Sequence, residues 1–230
     1  MKKKVMVISL GGSMIVPKKM SIKFLEDFKK ILKKHYKTHR FVIVCGGGTV
    51  ARKYISILKK QGKSERELSM AGIRATRMNA LFMMQLFGKE EANDILPRNM
   101  KEIKSSLPKN NTVICGALRY TKKSTSDSTA ARIAHYLGAA QFINITNIKG
   151  LYTSNPLVYK NAKFIPKISW KEFDKMANRS KYKPGQHFVL DQGAAKIIRK
   201  HKIVTYIIGP DLKNLDKILK GKKFTGTVIN

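Results

Sequence analysis

The chain has 230 residues, 43% hydrophobic and 27% charged. This balance excludes wholesale disorder and collagen-like repeats and leaves length for one large domain with a real core. Its charge is lopsided: 47 Lys+Arg against 14 Asp+Glu give a formal +33, a field that draws anions such as nucleotides, phosphorylated metabolites, nucleic acid or an acidic membrane surface. No apolar run reaches the roughly 18 residues a membrane span needs. The amino terminus imitates a secretory signal, Lys2-Lys3-Lys4 followed by apolar residues to Val16. However, Gly11-Gly12-Ser13 interrupts that stretch, and Pro17-Lys18-Lys19 ends it without a cleavage pattern. The expectation is a soluble, cytoplasmic protein. Cys45 and Cys115 are too few for a disulfide framework, and each closes a strand-like run just before glycine. They read as small buried thiols in a reducing compartment.

Apolar runs alternate with helical patterns from end to end. Val5 to Leu10 reads as a buried strand, and Ser21 opens a helix whose Ile22, Leu25, Phe28, Ile31 and Leu32 fall at helical spacing. Phe41 to Cys45 is the second strand, followed by Gly46-Gly47-Gly48 and a helix through Val50, Tyr54, Ile57 and Leu58. Ser64-Glu65-Arg66-Glu67 has capping-box spacing and starts a long helix reaching Phe87, with a kink or a close contact expected at Gly72. In the second half, Thr112 to Cys115 is a strand, Ser128 to Leu137 a helix, and Phe142 to Thr146 a strand. Thr153 to Ile168 is irregular, and Trp170, Phe173 and Met176 mark one face of a short packed helix. Gln192 to His201 is a helix, Val204 to Ile208 a strand, and Thr227 to Ile229 an edge strand.

This alternation predicts a mainly parallel sheet covered on both faces by helices, with its binding site outside the carboxyl ends of the strands. Gly11-Gly12-Ser13, Gly46-Gly47-Gly48, Gly116-Ala117 and Thr146-Asn147 each follow a strand directly, so four loops converge on one rim. Glycines after a strand let backbone N–H groups approach an oxyanion, and the following helix adds its positive end. Neither glycine cluster is a Walker loop or a dinucleotide fingerprint. Arg52, one turn beyond the triple glycine, is placed to reach a bound phosphate. Asp127 and Asp191 each precede an apolar helical run. Each reads either as a helix cap or as a carboxylate that orients a lysine or holds magnesium near phosphate. Lys196 stands among Ala194, Ala195, Ile197 and Ile198, an odd place for a lysine. The five histidines show no ligand spacing, and no Ser/His/Asp arrangement supports a hydrolase. The basic residues are spread in pairs along the chain, without an aromatic-interleaved basic strand, so nucleic acid is a less favoured partner.

Six collinear blocks carry a resemblance over nearly the whole chain. They are Ser9-Leu10-Gly11-Gly12-Ser13, the triple glycine with Arg52, and Gly72-Ile73 through Thr76-Arg77 to Asn79-Ala80. The other three are Thr125-Ser126-Asp127, Ile145-Thr146-Asn147 with Gly150 and Tyr152, and Asp191 with Ala194-Ala195-Lys196. The sequence resembles the amino acid kinase family, and within it the archaeal-type uridylate kinases. The resemblance implies one domain with an αβα three-layer sandwich, the acceptor bound by residues 1–115 and ATP by 116–230. It also implies magnesium and a homohexamer. Carried over by position, Gly12, Ser13, Gly48 and Arg52 would contact ATP phosphates, and Thr146, Asn147, Tyr152 and Asn155 the nucleoside of ATP. Gly47, Ser69 and the loop Leu118, Arg119, Tyr120, Thr121, Lys122, Lys123, Ser124, Thr125 and Ser126 would meet UMP. Asp127 would organise the reacting groups and Lys196 neutralise the transferring phosphoryl. The sequence departs from the family pattern at Ser69, Lys149 and Asn155, where acids are usual. It also departs at Ser9, where many relatives carry lysine, and in the acceptor loop.

Overall fold

The computed structural model describes residues 3–17, 22–121, 125–179 and 189–230. In chain order these form β1 (Lys4–Leu10), α1 (Gly12–Ile15), α2 (Ile22–Lys34), β2 (His39–Cys45), α3 (Gly48–Lys60), α4 (Glu65–Phe87), α5 (Met100–Ser106) and β3 (Thr112–Cys115). They continue with α6 (Ser126–Tyr136), β4 (Gln141–Ile145), β5 (Leu151–Tyr152), β6 (Phe164–Ile165), β7 (Lys167–Ile168), α7 (Trp170–Ala177), α8 (Gln192–His201), β8 (Thr205–Ile208), α9 (Lys213–Leu219) and β9 (Thr227–Ile229).

Seven strands make one sheet in the order β3-β2-β1-β4-β8-β9-β7, and β5 and β6 pair as a separate antiparallel ribbon. β1 runs parallel to both β2 and β4, and only the β8–β9 pairing in the large sheet is antiparallel. Alternation along β1 sends Met6, Ile8 and Leu10 to one face, where they pack with Phe28 of α2, Phe87 of α4 and Leu215 of α9. Val7 goes to the other face, with Ala130 of α6, Phe173 of α7 and Ile198 of α8. A sheet buried on both faces explains why its strands read as unbroken apolar runs. The result is the expected mainly parallel sheet between two helical layers.

Local chemistry sets the boundaries. Ser64 and Glu67 make the reciprocal capping box that starts α4, which then runs unbroken to Phe87. Gly72 does not interrupt it; the glycine faces α3, where an added Cβ would lie 3.5 Å from Ile55 Cδ1. Thr125 caps α6, so that helix begins before Ser128. One expectation needs correction: β9 is interior, because β7 adds outside it and becomes the edge. The short helices α5 and α9 and the β5–β6 ribbon escaped the sequence reading because none is long enough to display a period. Among the described residues no helix is long and apolar enough to cross a membrane. Cys45 and Cys115 are both buried free thiols, and burial pushes the Cys115 thiol up to about 12.

Candidate active site

The carboxyl ends of β1, β2, β3 and β4 open onto a cleft of about 270 Å³. Gly11–Ser13, Gly46–Gly48, Ala117 and Thr146–Asn147 all line it, so the four loops meet as the alternation predicts. The first two loops interlock backbone to backbone. Gly46 N–H donates to the Leu10 carbonyl at 2.9 Å. A Cβ on Gly46 would lie 2.7 Å from the Gly12 nitrogen, and one on Gly48 would lie 2.5 Å from the Gly12 carbonyl carbon. Gly48 also holds φ +60°, a conformation only glycine adopts at little cost. Side chains are excluded here by contact, and peptide groups form the floor.

The helix caps differ in a telling way. Helices α4, α5, α6, α7 and α8 all have a side chain accepting from their first-turn amides. Helices α1 and α3, which leave the two glycine loops, have Gly11 and Gly47 at the cap and no such bond. Their first N–H groups are left for an anion in the cleft. (α9 also lacks a side-chain cap bond, but its first residues are not among those lining the cleft.) Arg52, one turn into α3, lines the same space, its Nη2 donating to Thr49 Oγ1 at 3.2 Å.

Opposite the glycines stand two carboxylates with different duties. Asp191 is buried and fully engaged. It caps α8 through Ala194 N–H at 2.8 Å, accepts from Ser128 Oγ at 2.6 Å and accepts from Thr125 Oγ1. It thereby ties the start of α8 to the start of α6. Asp127 is half-buried in the first turn of α6 and is not the cap. Its Oδ1 accepts from Ser9 Oγ at 2.8 Å. Burial first, and the neighbouring Asp191 carboxylate second, push the Asp127 carboxyl up to about 7, while the bond from Ser9 pulls it back down. A group poised near neutrality in a cleft is the kind that chemistry uses.

Helix α4 supplies a ledge beside Gly46 and Ala117. Asn79 Nδ2 donates to the Gly46 carbonyl at 2.7 Å, and Thr76 Oγ1 accepts from Ala117 N–H at 2.9 Å. Ser9, Thr76, Asn79 and Asn144 were given no role by the sequence reading. Each is a polar residue at a buried place in an otherwise apolar stripe, which was the available signal.

Gly12, Ser13, Gly47, Gly48, Arg52, Ser69, Arg119, Tyr120, Thr121, Thr125, Ser126, Asp127, Thr146 and Asn147 all line the cleft. Leu118 does not; its side chain is buried in the core beneath. Tyr152 packs on Phe164, ring centroids 5.4 Å apart, and Asn155 Oδ1 accepts from Leu157 N–H, both outside the cleft lining. Lys196 is exposed on α8 and is likewise outside the lining, because Ala194 and Ala195 take the buried side of that turn. Lys122, Lys123 and Ser124 lie outside the described residues.

Comparison with known proteins agrees with this geometry. Residues 4–209 match the amino acid kinase family. A uridylate kinase of Pyrococcus abyssi is 34% identical over 223 residues, covering 96% of this chain and 98% of that one. A uridylate kinase of Thermoplasma volcanium is 35% identical over 223 residues, covering 97% and 96%. The crystal structure of uridylate kinase from Archaeoglobus fulgidus superposes with a TM-score of 0.84 at 32% identity, covering 99% of this chain and 100% of that one. Fold, cleft and near end-to-end sequence matches therefore agree that this chain belongs to the amino acid kinase family.

Proposed function

We infer that the protein is a UMP kinase, transferring the γ-phosphoryl of MgATP to UMP to give ADP and UDP in pyrimidine nucleotide biosynthesis. The observation that carries this is the match to archaeal uridylate kinases at about a third identity over almost the entire chain. The cleft suits such a reaction. Phosphoryl transfer asks the protein for alignment and charge stabilisation more than for covalent chemistry. Two anions must be pressed together, and uncapped helix starts, peptide N–H groups and guanidinium are suitable tools for that. The acceptor is a phosphate oxygen already ionised near neutrality, so no general base is required.

In this reading residues 1–115 form the acceptor-binding half and 116–230 the ATP-binding half, with the phosphates of both meeting across the glycine loops. Gly12, Ser13, Gly48 and Arg52 hold the ATP phosphates, while Thr146 and Asn147 in the cleft lining, with Tyr152 and Asn155 beyond it, hold its nucleoside. Gly47, Ser69 and the loop 118–126 hold UMP. Asp127 orders the reacting groups, and Lys196 neutralises the moving phosphoryl by extending its side chain from the exposed side of α8 into the cleft. Magnesium arrives on ATP. The described residues hold no cluster of three or more acidic, histidine or cysteine ligands, and the half-buried Asp127 carboxylate is the donor this chain would add. One carboxylate plus substrate phosphates is the usual way magnesium is held in such sites.

Coupled ADP release across a panel of acceptors tests the reading, with UMP as the expected preferred substrate. Absence of UMP turnover together with turnover of another phosphorylated or carboxylate acceptor would overturn it. Ser69 is the feature that such an acceptor would exploit, since it places a neutral hydroxyl in the cleft where the family resemblance implies an acid. Lys196→Ala is expected to cut turnover about 100-fold or more, the scale of a lost electrostatic contact at the reacting charge.

A further inference from the structure

We propose that Arg77 is a positioning residue that sets the path of the acceptor loop, acting through the backbone at Ala117 and Leu118. This rests on the acceptor reading of residues 118–126 given above. β3 lies at the edge of the sheet, so the chain leaving it has no further strand on its outer side. Helix α4 takes that place. A Cβ on Gly116 would lie 2.7 Å from both the Arg77 nitrogen and the Thr76 carbonyl carbon, so helix and loop meet backbone to backbone. Thr76 Oγ1 takes the Ala117 N–H. Arg77 then donates from Nε to the Ala117 carbonyl at 3.2 Å and from Nη2 to the Leu118 carbonyl.

Two adjacent helical residues thus fix three consecutive loop residues: one by contact, one at its donor and its acceptor, one at its acceptor. The consequence falls directly on the cleft. Leu118 is driven into the core, and the next three residues, Arg119, Tyr120 and Thr121, emerge to line the cavity. Among the described residues no carboxylate pairs with Arg77; it donates to two main-chain carbonyls. Arg77 reaches the two carbonyls from two different nitrogens held in one plane, a fixed fork that a single ammonium nitrogen does not reproduce. Asn79, which holds Gly46 on the ATP-phosphate side, is a separate anchor. Loss of Arg77 therefore acts on one reactant and spares the other.

The test is steady-state kinetics of Arg77→Lys and Arg77→Met with both substrates varied, beside thermal unfolding. The expected result is a fall of about 10- to 100-fold in kcat/KM for the acceptor in both variants, with KM for ATP within about twofold of wild type. Added guanidinium ion should recover part of the acceptor kcat/KM in Arg77→Ala and none in wild type. Unchanged acceptor kinetics in Arg77→Met would overturn the proposal. So would a parallel rise of both KM values that tracks a lower unfolding temperature. Wild-type turnover is measured first with several nucleoside monophosphates, and the variants are assayed with whichever acceptor it uses. Failure of wild type with UMP counts against the proposed function, whereas failure of the variants to discriminate between acceptor and ATP counts against Arg77.

Discussion

Asp127 is held half out of water beside Asp191, and its carboxyl is pushed from an ordinary 3.8 up to about 7. Between those values the unfolded chain releases a proton that the folded chain keeps. Stability of the ligand-free protein is therefore expected to fall as pH rises across that window and to level off above about 7. Asp127→Asn should flatten the slope seen in denaturant titrations and leave the variant more stable than wild type at pH above 7. The same change should cut turnover at least about 100-fold. A variant that retains near-full rate would remove Asp127 from the mechanism. Ser9 stabilises the ionised form, so Ser9→Ala is expected to move the acid limb of the kcat/KM profile to higher pH. At this scale the sequence showed Asp127 plainly but not what surrounds it. The contact with Ser9 joins positions 118 residues apart, and no local pattern announces such a pair.

Elements were more legible than residues. Long periods and strong punctuation placed β1, β2, α4 and α8 within a residue or two, because each combines a buried stripe with a cap or a following glycine. The position of β9 inside the sheet was not readable, since a three-residue strand says nothing about its neighbours. The interlock of α1 with α3 was half-visible: the glycines stood out, their mutual contact did not. That contact predicts that Gly12→Ala cannot be accommodated, because the new carbon would sit under 3 Å from the backbone of Gly46, Gly47 and Gly48. Overpacking of this kind costs roughly 1–3 kcal/mol. A lowered denaturant midpoint and lost protection by ATP are the expected readouts. Ser64→Ala, at the capping box of α4, should cost about 1 kcal/mol while leaving turnover unchanged, which separates stability from chemistry.

At the scale of the molecule the net charge of +33 and a set of exposed apolar side chains stand out. The charge should raise encounter rates with anionic nucleotides, so kcat/KM is expected to fall as salt is raised toward about 1 M, where screening operates within about 3 Å. An RNA complex retained at about 200 mM salt, with no ATP consumed, would instead favour a nucleic-acid-binding role. On α3 and α4, Tyr54, Ile57, Met78, Leu81 and Phe82 are all exposed, apolar side chains available to the homohexamer that the family resemblance implies. Leu81→Glu is expected to yield a smaller species by light scattering with its fold intact. An unchanged wild-type mass of one chain would refute the assembly itself.

The glycine loops carry a consequence for inhibition. What they offer a ligand is main chain, and Gly12, Gly46 and Gly48 admit no added carbon without displacing a neighbour's backbone. A compound anchored on those amides touches atoms whose character mutation cannot change, so escape variants would have to arise at the rim, around Ser69, Arg119 and Tyr120. Durable potency belongs to the floor of the cleft, and discrimination between related enzymes to its edge.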